Sequence, residues 1–153
     1  MKIYSAKDVA TWFILKFAES GDVVTHLKIQ KLLYYAEAWH QVLNNSELFK
    51  EKIQAWAHGP VVPEIFHTYK EHGWNTLPVP KDTKLPKFSK KTEGVLIQVI
   101  DSYGELPAKT LERMTHGDQP WINARKGFEP EQRCEKVMPK TEIKSFFKTK
   151  YGM

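Results

Sequence analysis

The segment from Thr25 to Asn45 does most to limit the fold. Within it Ile29, Leu32, Leu33, Ala36, Trp39 and Leu43 recur at three- and four-residue intervals, which places them on one face of a helix. Thr25 supplies an N-cap oxygen, and Asn44 and Asn45 stop the helix. An apolar stripe of that length has to be covered by other elements. Tyr34, Glu37 and Gln41 fall on the opposite side, and Lys28 with Lys31 reads as a solvated edge.

The covering elements are themselves mostly helical. Ser5 followed by Asp8 is an N-cap signal, and Val9, Trp12, Phe13 and Phe17 continue it at helical spacing until Gly21. Ile53 to Ala57 is a short extended stretch. Pro63 suits the first turn of a third helix, where its missing N–H has no partner to lose; Ile65, Phe66 and Tyr69 form its apolar side and Gly73 closes it. From Trp74 to Phe88 the prolines Pro78, Pro80 and Pro86 exclude a helix and predict a loose arm or hairpin. Ser89 caps a fourth helix with Val95, Leu96, Val99 and Ile100 inward. Leu106 to Met114 forms a fifth, Pro120 to Arg125 a turn or two, and Thr141 to Lys150 a closing helix. The prediction is a mainly α chain: one compact domain over residues 1–153, a helical bundle of about six helices with at most one or two short strands.

At 153 residues the chain is long enough for a core without disulfides or metals. Cys134 is the only cysteine, so neither an internal disulfide nor a cysteine-based zinc site is available. The apolar run Val9 to Leu15 is too short to span a membrane, and no small-residue cleavage pattern follows it. A cytoplasmic protein is expected. The net charge of +5 is spread out, densest across Lys81, Lys84, Lys87, Lys90 and Lys91. That cluster reads as a solvated loop, or as an attractor of an acidic partner or nucleic acid.

Catalytic signatures are missing. The histidines pair as His67 with His72 and His26 with His40, and neither spacing puts two imidazoles on one face of a helix. His116 and Asp118 make at most half a site. No metal and no cofactor are expected. Cys134 lies in a charged segment with no glycine turn or nearby helix start, and no glycine-rich phosphate loop or nucleophile elbow occurs. Thr25, His26, Lys28, Gln30 and Lys31 can be drawn as the reading edge of a helix-turn-helix. The apolar face of the same helix favours a core helix instead, so nucleic acid is the weaker reading.

Two prolines and a glycine stiffen the stretch WAHGPVVP at residues 56–63. Gly59 can take a positive φ ahead of Pro60, and Pro63 holds Val62 extended. One reading makes the stretch a turn that docks the third helix. The other makes its edge a meeting place for a partner, with Lys31, Tyr34, Tyr35, Trp56, His58, Gly59, Pro60 and His116 around a surface concavity. Leu32, Leu33, Trp39 and Trp121 are the expected core.

Taken together, these segments resemble the SocA-like antitoxin family, the Panacea domain, known earlier as phage-associated GepA-like proteins. The resemblance is carried by Thr25, Lys28, Gln30 to Tyr35, Trp39, Ala55, Trp56, His58 to Glu64 and Tyr69. A second block follows at Leu111, Thr115, His116, Pro120, Trp121 and Arg125. Ile29 stands where the family usually has leucine, Phe66 where tyrosine is frequent, and Gly117–Asp118 displaces the usual acidic residue. The resemblance implies an antitoxin, not an enzyme, that neutralises a cognate toxin protein by direct binding. One branch of the family implies a proteolytic adaptor instead, handing the toxin to a protease of the AAA+ kind; a DNA-binding autoregulator stands as the alternative from another class. Many members sit in prophages or mobile elements.

Overall fold

The computed structural model describes residues 1–153. Seven α-helices and one two-stranded hairpin follow in chain order: α1 (Ala6–Glu19), α2 (His26–Asn44), β1 (Gln54–Trp56), β2 (Gly59–Val61), α3 (Pro63–Tyr69), α4 (Lys90–Tyr103), α5 (Ala108–His116), α6 (Gln119–Ala124) and α7 (Lys140–Lys150). The architecture is mainly α. Pro120 to Arg125, read as a turn or two, is the short helix α6.

Local chemistry explains the helix starts. The side chains of Ser5, Thr25 and Ser89 accept hydrogen bonds from the backbone N–H of Asp8, Lys28 and Thr92 respectively. Pro63 opens α3. Asn45 ends α2 in the left-handed region at φ 52°.

Helix α2 is the axis of the molecule. α1, α3, α4, α5, α7 and β2 all pack against it. This corrects the two-sided reading of that helix. Glu37 and Gln41, placed on the side away from the apolar stripe, are buried, as are His26, Gln30, Lys31, Tyr34, Tyr35 and His40. A helix enclosed on all sides must satisfy its polar groups internally. Glu37 does so by accepting from Leu48 N (2.7 Å) and Phe49 N (3.3 Å) and pairing with Lys140 Nζ (2.8 Å). His40 is hydrogen-bonded to Ser46 O (2.7 Å) and Thr92 Oγ1 (2.9 Å). Burial of His26, Gln30 and Lys31 also removes the helix-turn-helix reading, because a recognition helix needs those side chains free.

Two further expectations change. Trp39 is only partly buried, because α2 emerges from the bundle near its C-terminal end; its ring lies against Phe147 and Tyr151, and its Nε1 donates to the Tyr103 hydroxyl at 2.9 Å. The Trp74–Phe88 arm has no strand of its own, yet its start is pinned. Leu77 is buried, His26 N donates to Asn75 O (2.8 Å), and Leu77 N donates to Val24 O (2.9 Å). The lysines from Lys81 to Lys91 are exposed. No helix is long and apolar enough to cross a membrane.

Candidate partner-binding site

The hairpin is the point on which the polar residues of three helices converge. Strand β1 pairs with β2 in the register Gln54–Val61, Ala55–Pro60, Trp56–Gly59. Apart from one bridge on the β1 edge, Gln54–Val137, where Ala55 N donates to Lys136 O at 2.9 Å, so short a sheet leaves its outer-edge backbone groups without strand partners, and buried ones must find others. On the β2 side, Gln30 Oε1 accepts from Val62 N at 2.8 Å and Lys31 Nζ donates to Pro60 O at 2.9 Å. On the β1 side, Trp121 Nε1 donates to Trp56 O (2.9 Å) and Arg125 Nη1 to Ala55 O (3.0 Å). The residues that carry the family resemblance in α2 and α6 therefore hold the backbone of the stretch that carries it in the hairpin.

Gly59 is required by both conformation and space. Its φ is +104°, and a Cβ built there would stand 2.7 Å from Thr115 Oγ1 and 3.0 Å from Lys31 Cε and Nζ. The lysine beneath it has no water contact. Burial drives the Lys31 ammonium down to about 7, with the Glu112 carboxylate opposing that shift. His116, half-buried beside it, stacks on Trp121 at 4.3 Å and 12° and has Nε2 buried without a partner. Burial lowers its pKa.

Outside the hairpin lies an open groove of about 600 Å³. Trp56, Phe66 and Trp74 are its aromatic walls; His58 and His67 border it, and Glu131, Arg133 and Glu135 form the far rim. Trp56 and Phe66 stand 5.0 Å apart at 62°, Phe66 and Trp74 5.1 Å at 58°. Behind them His26, fully buried, stacks on Phe66 (5.5 Å) and leans on Trp74 (5.0 Å) while its Nδ1 is 2.7 Å from Gly73 O. Burial lowers its pKa, so the ring is neutral at physiological pH. Arg125 fixes the far rim: its Nη2 donates to the carbonyls of Glu129 (2.8 Å), Pro130 (3.2 Å) and Gln132 (2.7 Å).

The structure thus divides the residues that the sequence grouped around one concavity. Trp56 and His58 face the groove, and His58 pairs with Glu112 at 3.2 Å. Gly59, Pro60, Lys31 and His116 lie beneath it as support. Tyr34 and Tyr35 do not line a surface concavity. They are core residues turned toward α4 and α7: Tyr35 stacks on Tyr103 at 4.0 Å, and the Tyr34 hydroxyl donates to Asp118 Oδ2 at 2.8 Å. Leu32 and Leu33 are fully buried and Trp121 is 8% exposed. Sequence reasoning missed His26 and Gln30 as clamps. It also missed the assembly of Phe66, Trp74 and the 131–135 rim, because these come together only through the tertiary fold.

No curated protein and no solved structure matches the chain. The family model described as antitoxin SocA-like, Panacea domain matches residues 29–122, a span that runs from α2 into α6 and includes the whole hairpin. The chain belongs to the SocA-like antitoxin family, the Panacea domain.

Proposed function

We propose that this antitoxin-family chain neutralises a cognate toxin by direct protein–protein contact, and that the aromatic groove beside the hairpin is the contact. The observation that carries the reading is the partly exposed wall of Trp56, Phe66 and Trp74, of which Phe66 and Trp74 are backed by buried His26. Large aromatic rings that are already ordered lose little entropy on binding, and such residues supply most of the energy in protein interfaces. The contact belongs in the compartment where the toxin acts, which we take to be the cytoplasm.

The test is co-expression with the toxin encoded beside this chain. Trp74→Ala and Trp56→Ala should each fold and yet weaken toxin binding by about ten- to hundredfold, with loss of growth rescue. Rescue that survives both substitutions at normal expression places the contact elsewhere. Rescue that depends on a host protease, with no stable complex recovered when that protease is absent, favours the adaptor role instead.

A further inference from the structure

We infer that the groove takes a cationic side chain, arginine or lysine, presented by the bound partner. This rests on the reading of the groove as the neutralisation contact and adds the chemistry of what enters it. Three features converge. Phe66 stands at about 60° to Trp56 and to Trp74, so the three rings form walls of the groove, not a flat patch. His58 continues the wall at 5.7 Å and 65° from Trp74. The faces of such rings carry negative quadrupole potential and attract cations, tryptophan most of all.

The second feature is charge. On a chain of net charge +5, the far rim of this groove carries two carboxylates against one guanidinium. Arg133 is tied to Glu135 at 2.8 Å, and Glu131 has no ion-pair partner. The third is the position of the positive charges that could serve an anion. The lysines of the Lys81–Lys91 arm do not line this groove. An acidic or phosphate-bearing group would meet ring faces, Glu131, and an Arg133 guanidinium already paired with Glu135. An aliphatic group would suit the walls but leave the rim carboxylate unused. Arginine satisfies both, because its guanidinium stacks on indole and its donors match a carboxylate.

The experiment compares Nα-acetyl-arginine amide with its neutral isostere Nα-acetyl-citrulline amide. Each is titrated into the full chain at constant ionic strength and followed by the indole N–H resonances of Trp56 and Trp74. Saturable shifts with arginine, at least about fivefold tighter than with citrulline, are expected. Trp74→Phe should retain that binding and Trp74→Ala should lose it. Glu131→Gln should weaken it about threefold. Equal binding of the two amides, or no shift with either up to about 100 mM, overturns the inference. The two readings fail separately. If Trp74→Ala loses toxin rescue while arginine and citrulline bind alike, the groove remains the contact and the cationic preference is wrong. If arginine binds selectively but rescue is intact in Trp74→Ala, the groove is not where this partner docks, and a partner side chain is not its occupant.

Discussion

Lys31 and Pro60 meet across 2.9 Å, an amine donating to a carbonyl at a place where both residues are buried. The bond ties the middle of α2 to the second strand of the hairpin. It also sets a long cationic side chain in a site that disfavours its charge. A residue so placed is a poor source of stability, and its value lies in fixing the turn between Trp56 and Val61.

The linkage has a definite sign. The folded state binds the Lys31 proton with a pKa of about 7, below the ordinary 10.5. Between those values the unfolded chain holds a proton that the folded chain lacks, so stability rises with pH across that window and is flat below it. Lys31→Met removes this dependence. Its stability relative to wild type should be highest at or below pH 7 and should fall by on the order of 3 kcal/mol by pH 9.5. Urea unfolding of both proteins across that range checks it; parallel curves would show that the amine is solvated.

Acid should destabilise the protein for a related reason. Burial is the main cause lowering the pKa of His26 and of His40, and both rings are fully buried. Below about 6.5 the unfolded chain takes up protons that these folded rings refuse, so stability present above that pH is lost as pH falls. Each excluded proton steepens the loss by about 1.4 kcal/mol per pH unit. His40→Gln should be less stable at pH 7.5 but lose less between pH 7 and 5.5, as read from urea midpoints.

Gly59→Ala should be strongly destabilising. The φ of +104° alone costs a non-glycine residue about 1–3 kcal/mol, and the new Cβ meets Thr115 Oγ1. Adding Thr115→Ala should recover the part due to Thr115 and leave the parts due to the Lys31 side chain and to backbone strain. Full recovery in the double variant would mean that φ contributes nothing.

The two tryptophans assigned to the core should separate in a thermal melt. Trp121 is 8% exposed, stacks on His116 and donates to Trp56 O, so Trp121→Ala should cost about 3–5 kcal/mol. Trp39 is only partly buried and should cost less, about 2 kcal/mol. Equal losses would show that the Trp39 face is covered in solution.

Arg125→Lys keeps the charge but cannot reproduce the guanidinium fork that spans Ala55 O and three carbonyls of the 129–132 loop. The expected result is a loss of about 2 kcal/mol and faster protease cleavage between residues 126 and 137, with the helices still protected. Unchanged cleavage would show that the loop holds its course without the fork.

What the sequence determined by itself was the set of elements. Ser5, Thr25 and Ser89 mark helix starts because capping is a contact over three residues, complete within the local chain. Pro63 and Gly59 mark the hairpin exit and its positive φ for the same reason: each acts on its own backbone. The apolar stripe of α2 likewise showed that this helix belongs in the core. What only the tertiary structure decided was how many sides of α2 are covered. Tyr34, Tyr35, Lys31 and Glu37 carry polar groups that are normal at a surface, and nothing near them in the chain says that α4, α7, the hairpin and Lys140 will close over them. The groove is a still longer-range product. Trp56 and His58 lie in a stretch whose stiffness is readable, but the walls Phe66 and Trp74 come from α3 and the arm behind it, and the rim from residues 131–135. Side chains that far apart in sequence meet only after helix packing has fixed the backbone, because their own energetics favour that meeting too weakly to encode it.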